Sequence, residues 1–207
     1  MMGALTRENI FNRLNKDLFI RPLLSVDKQI NEASIDFRLG YDFMVNVHSR
    51  DAYMNASLNS ELGTQLPNLR SFFQESRRQL GETFILHPHQ PVLAVSLEYV
   101  RMPDDVFMLL FMRSSYSRLG LSISTILQPG YCGCISIELI NNGTMPINLT
   151  VGARIIQGVL VHTDNSTTYF KEPRKYVCQV RPESSVANND QDLNQLNTIW
   201  RKDNHII

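Results

Sequence analysis

The chain has 207 residues, 43% of them hydrophobic, with 20 Lys plus Arg against 20 Asp plus Glu. That is enough apolar material for one ordinary core and it excludes gross disorder. Zero net charge excludes the broad footprint of a general nucleic-acid or acidic-membrane binder, so an anionic ligand must be held by a local cluster of basic groups.

In chain order, the opening "MMGALTRENIFNRL" carries no apolar leader core, so no secretory signal is expected there. "TRENIFNRLNK" reads as a short helix capped by Thr6, with Ile10, Phe11 and Leu14 as its apolar side. "ASIDFRLGYDFMVNV" alternates Ile35, Phe37 and Leu39 against Ser34, Asp36 and Arg38, the pattern of a strand with one buried face. Residues 48–82 are polar and mixed and read as an insertion, with a helix expected over "NLRSFFQESRRQL". From Thr83 onward the pattern is all β. "TFILHP", "PVLAVSLEYV", "VFMLLFM", "LGLSIS", "GCISIELINN", "INLTVG" and "RIIQGVLVHT" are short runs parted by Pro, Gly, Asn and Asp. Such spacing predicts a mainly β barrel or jelly roll with a few peripheral helices. The domain is expected over 1–182, followed by a polar extension, 183–207, with a helix around "DLNQLNTIWRK".

The three cysteines, Cys132, Cys134 and Cys178, cannot all pair, which suits a reduced, cytoplasmic protein. Cys132 and Cys134 fall on one face of a strand and are expected to be buried free thiols. His87 and His89 in "HPHQ" have no third ligand nearby and read as a polar turn. No apolar run is long enough to span a membrane, and no zinc-deaminase pattern of the HxE…PCxxC type is present.

"RSSYSRLGL", Arg113 to Leu121, sets two arginines among hydroxyls directly after an apolar strand. Guanidinium forks and hydroxyls suit phosphate oxygens or a reacting centre, although a strand end with a solvated turn would look similar. Further segments decide between these readings. "INEASIDFRLGYDF", "FILHPHQPVLAVSLEYVRMPDDV", "RSSYSRLGL", "PGYCGCISIELINNG" and "YFKEPRKYVCQ" occur in one order. Together they resemble the dCTP deaminase family of the trimeric all-β dUTPase superfamily.

The resemblance implies a homotrimer that takes a nucleotide, with no nucleic-acid or membrane partner. It implies that Glu138 is the catalytic carboxylate, with Arg118 and Ser114 beside it. It further implies a nucleotide-binding set of Arg113, Ser114, Ser115, Arg118, Gln128, Ser136, Ile137, Glu138, Tyr169, Lys175, Tyr176 and Gln179. Deaminating cytosine without zinc needs a carboxylate that serves first as base and then as acid. Glu138, among the apolar residues of "CISIELI", is expected to be buried in a way that suits this task. The chain has no acidic cluster to cage a metal, so Mg²⁺ is expected to enter only through the triphosphate.

The resemblance also breaks at one place. Between "RSSYSRLGLS" and "PGYCG" this chain has the shorter "ISTILQPG", and Gln128 stands where the family has an aspartate that contacts the sugar hydroxyl. Three readings therefore stay open: a deaminase of dCTP or a related cytosine nucleotide, a dUTPase-type or bifunctional pyrophosphatase, and a nucleotide-binding regulator that does not react.

Overall fold

In the computed structural model, the described residues are 3–47, 50–51, 53–54, 56, 69–123, 125–167 and 174–187. The chain divides into two compact units, one of Met1–Asn46 with Glu75–Glu183 and one of Val47–Gln74 with Ser184–Ile207.

The first unit begins with helix α1, Arg7–Arg13. Its cap is Thr6, whose hydroxyl accepts the Asn9 N–H at 3.4 Å, and Ile10 is its buried residue. Then come β1 (Phe19–Arg21), the single turn α2 (Val26–Gln29) and β2 (Ile35–Asn46). After β3 (Phe73–Arg77) follow β4 (Thr83–Leu86), β5 (Val92–Arg101) and β6 (Val106–Met112). The short helix α3 (Ser114–Ser117) leads into β7 (Leu121–Ser122), β8 (Thr125–Leu127), β9 (Cys132–Asn141), β10 (Ile147–Thr150) and β11 (Arg154–His162).

One curled sheet runs β7-β9-β5-β2-β11-β6-β8, with β1 added on β5, while β4 and β10 form a separate pair. The expected β architecture is present, and the strands match the apolar runs because alternation fixes which face each residue takes. Val106, Met108, Leu110 and Met112 of β6 point inward, as do Ile135, Ile137 and Leu139 of β9. They meet Ile35, Phe37 and Leu39 of β2 in one core, and Phe43 stacks on Phe84 with ring centres 4.1 Å apart.

Three expectations change. β2 is buried on both faces rather than one: Asp36 is only 1% exposed and Asp42 is also buried, because β2 lies mid-sheet with partners packed over it. Gly40 belongs to the same crowding, since a side chain there would collide with the Val95 carbonyl of β5. The helix expected over 68–80 is instead a 3₁₀ turn, Leu69–Phe72, followed by β3, so sheet pairing overrides local helix preference. β1, β3 and β8 had no clear strand signal, being short. The helix expected near the C-terminus lies outside the described residues. His87 and His89 do occupy a turn, with the Gln90 N–H donating to the His87 carbonyl.

In the second unit, the Val47 N–H donates to the Phe72 carbonyl, and Leu69 and Phe72 are buried. No helix among the described residues is long and apolar enough to cross a membrane.

Candidate active site

The arginine- and serine-rich segment starts where β6 ends. Arg113 caps α3, its carbonyl accepting the Tyr116 and Ser117 N–H groups. Ser114, Ser115 and Ser117 are exposed on this turn, and Arg118 is exposed at its end. Gly120 then turns the chain with φ +93°. A Cβ there would press on the Gly143 backbone, so only glycine brings α3 onto β7 and the end of β9. The Asn142 N–H donates to the Gly120 carbonyl at 2.9 Å and fastens that approach.

Arg113 faces the core. Its Nε is 3.1 Å from Asp36 Oδ2 and its Nη1 donates to the Arg154 carbonyl at 3.0 Å. Asp36 also receives Asn31 Nδ2 at 3.0 Å and Arg154 Nη1 at 3.3 Å. A buried carboxylate persists only when paired in this way. Two of the Arg113 donors therefore serve the fold, leaving Nη2 as the donor these bonds do not use.

β9 carries the second half of the site. Its alternation sends Ile137 into the core at 1% exposure and turns Ser136 and Glu138 outward. Glu138 is exposed, so the expected burial is not supplied by its own chain; the apolar neighbours in sequence point to the other face of the strand. Its Oε2 accepts the Thr125 hydroxyl of β8 at 2.9 Å. Thr125 went unnoticed in the sequence because β8 is three residues long and gives no alternation to read.

The edge of β9 is open beside Glu138. The Cys134 N–H donates away from β5 to the Gln179 carbonyl at 2.7 Å, and the Asn142 N–H does the same to Gly120. Even-numbered backbone groups therefore face this edge, and those of Ser136 and Glu138 lie between the two contacts. Ile137 would touch a ligand here only through neighbouring backbone, not through its side chain.

The remaining candidates are spread out. Gln179 is buried at 6% against β9, Lys175 is exposed and Tyr176 is half-buried. Gln128 is exposed in the turn after β8, its carbonyl accepting the Tyr131 N–H at 3.1 Å. Tyr169 lies outside the described residues. Among the described residues, no hydrogen bond or ion pair within the chain joins Glu138 to Ser114 or Arg118.

The model of the dCTP deaminase-like family matches residues 4–163. The chain belongs to the dCTP deaminase-like family. It is 31% identical over 199 residues to a dUMP-forming dCTP deaminase of Methanobrevibacter smithii, covering 93% of this chain and 99% of that one. It is 34% identical over 199 residues to a dCTP deaminase of Halorubrum lacusprofundi, covering 91% of this chain and 93% of the relative. Its fold resembles the crystal structure of 2′-deoxycytidine 5′-triphosphate deaminase from Agrobacterium tumefaciens, with a TM-score of 0.58 at 22% identity. That likeness covers 78% of this chain and 48% of the other, so the chain spans about half of that structure's length. In this dCTP deaminase-like chain, α3 and β9 are tied together by Gly120 and Asn142 at one end of the sheet.

Proposed function

We propose that the chain is a zinc-independent dCTP deaminase that converts dCTP and water to dUTP and ammonia. The observation that carries the reading is Glu138, exposed on β9 with one carboxylate oxygen held by Thr125, next to an open stretch of strand edge. A pyrimidine has a donor–acceptor edge of its own, and the Ser136 and Glu138 backbone groups are suited to pair with it. Glu138 Oε1 then takes a proton from water as its oxygen adds to C4. It passes that proton to the ring nitrogen N3, then takes the remaining proton from the C4 hydroxyl and gives it to the amine, so C4–N breaks as C4=O forms and ammonia leaves. Arg118 balances charge developing around the adduct, and Ser114 orients the water.

The triphosphate is assigned to Arg113 through Nη2, with Ser115, Tyr169, Lys175, Tyr176 and Gln179, and the sugar to Gln128. No group of three or more His, Cys, Asp or Glu side chains converges among the described residues. Mg²⁺ is assigned to the substrate, arriving on the phosphate oxygens. The body that handles the nucleotide is assigned to 1–182, in the cytoplasm.

The working form is a homotrimer. Ser114 and Arg118 make no bond to Glu138 within one chain, so a neighbouring copy is the natural source of the missing partners. An apolar groove lined by Leu109, Phe111, Ile123 and Ile126 runs beside Thr125, and Phe111 and Ile126 are 50% and 46% exposed. Such a strip suits a subunit contact. Solution mass is expected to give a trimer, and a clean monomer that turns over nucleotide would sink the assembly.

The activity is tested by incubating the protein with dCTP, dUTP, CTP and dCMP and following ammonia and pyrophosphate separately. Ammonia from dCTP is expected, without pyrophosphate. Pyrophosphate in step with ammonia would favour the dUMP-forming activity for which the Methanobrevibacter relative is named. Binding with neither product would leave a regulator.

A further inference from the structure

Cys132, at the start of β9, lies against Cys178, 46 residues later, with their sulfurs 2.7 Å apart. We propose that this pair is a redox modification site whose disulfide fastens the segment carrying Lys175, Tyr176 and Gln179 to β9.

The backbones are already joined on either side of the sulfurs. The Cys134 N–H donates to the Gln179 carbonyl at 2.7 Å. Gly133, at φ +144°, packs so closely that a Cβ would sit 3.0 Å from both the nitrogen and the oxygen of Gln179. Closing the bond needs a shift of under about 1 Å in side chains whose main chains are held in place. Cys178 is exposed and meets an oxidant first, while Cys132 is half-buried beneath it. Burial and the neighbouring Cys178 hold the Cys132 thiol above its ordinary range, with Tyr99 and Arg101 acting in the opposite direction. Cys132 thus waits as the resolving partner. Cys134 is held apart, its thiol pushed up to about 11 by burial and by the charges of Glu98 and Asp42.

The oxidant class is a peroxide. The Cys178 thiolate attacks one peroxide oxygen, the O–O bond breaks, hydroxide leaves and a sulfenic acid remains. The Cys132 thiolate attacks that sulfur, the S–O bond breaks and a second hydroxide leaves. The two thiol protons turn both hydroxides to water. The two sulfurs lose two electrons and the peroxide gains them.

The consequence rests on the deaminase reading. Lys175 and Tyr176, which precede the anchored Gln179, belong to the proposed phosphate-binding set, so a tether at Cys178 restrains them further and removes freedom that nucleotide binding would otherwise have to remove. Oxidation therefore lowers KM for dCTP, by about fivefold.

The test treats the full-length protein with hydrogen peroxide, blocks remaining thiols with iodoacetamide, and reads intact mass and cross-linked peptides. The expected product has lost two hydrogens, carries a Cys132–Cys178 peptide and keeps Cys134 alkylatable after denaturation. Cys178→Ser abolishes the cross-link, and Gly133→Ala slows it by displacing Gln179. Sulfinic acid at Cys178 without a cross-link, or a bond between two chains, overturns the proposal. Hydrogen exchange over 174–187 is expected to slow on oxidation and recover with dithiothreitol; no change overturns the fastening. A higher KM after oxidation overturns the consequence for binding. If the reduced protein releases no ammonia, the deaminase reading fails while the mass result still decides the disulfide.

Discussion

Two carboxylates, Asp36 and Glu138, sit on strands of the same sheet and have opposite surroundings. Asp36 is sealed in, with Arg113, Arg154 and Asn31 from three parts of the chain converging on it. Glu138 is exposed and has a single described donor, the Thr125 hydroxyl. A carboxylate whose lone pairs are filled by fixed cations holds elements together and is a poor proton shuttle. A carboxylate with a free oxygen on an open edge contributes little to folding and can react. The arginine at the start of α3 links the two regions, since Arg113 braces Asp36 with its side chain while its backbone carbonyl caps α3.

The sharpest way to break the comparison is Glu138→Gln, which keeps shape and removes the proposed base. Turnover of dCTP is expected to fall about 10²–10⁴-fold while thermal stability and nucleotide affinity hold nearly constant. Asp36→Ala should do the reverse in kind. It strands two arginines beside a cavity and is expected to cost about 3–5 kcal/mol, read as a lower urea midpoint. Arg113→Ala falls between, losing both stability and affinity, whereas Arg118→Ala, exposed and outside the Asp36 cluster, should abolish turnover with little change in melting. If Asp36→Ala melts like the wild type, the division between the two carboxylates is wrong.

The strands of this fold were legible because "VFMLLFM" and "CISIELI" alternate cleanly, and alternation alone assigns faces. Glu138 is legible as a candidate from its motif but its exposure is not, because neighbours in sequence are not neighbours on a strand. Asp36 looked like a solvent-facing residue by the same alternation. Its burial depends on β11 and α3, which arrive more than seventy residues later and leave no local trace. Thr125 and the meeting of Cys132 with Cys178 were hidden for a related reason, since each depends on which distant segments the sheet order brings side by side.

A third buried carboxyl adds a pH handle. Glu98 is fully buried, takes hydrogen bonds from Gln29 Nε2 and the Arg38 N–H, and is pushed by burial to about 7 from 4.5. The folded state therefore binds its proton more tightly than the unfolded state does. That contribution is fully present below pH 4.5 and is lost as pH rises through about 7. The loss amounts to about 3 kcal/mol across that window. Denaturant midpoints measured from pH 4.5 to pH 8 are expected to carry this falling component, and Glu98→Gln should flatten it. A wild-type slope that survives the substitution would assign the effect elsewhere.

The smallest effect tests how Glu138 is aimed. The Thr125 hydroxyl binds Oε2 and leaves Oε1 for the proton, so it fixes the rotation of a carboxylate that is otherwise loose at the surface. Thr125→Val keeps the branched shape on β8 and removes the donor. A hydrogen bond to a charged group is worth about 1.5–3 kcal/mol, and solvent at this edge trims that, so kcat should fall about tenfold with KM unchanged. Melting should shift little, because Asp36 rather than Glu138 ties the sheet. Thr125→Ser returns the hydroxyl and should return most of the rate, which a purely packing role for the β8 side chain would not do. Equal kcat for Val and Thr at position 125 would show that the carboxylate needs no holding. The contrast with Asp36 would then rest on burial alone.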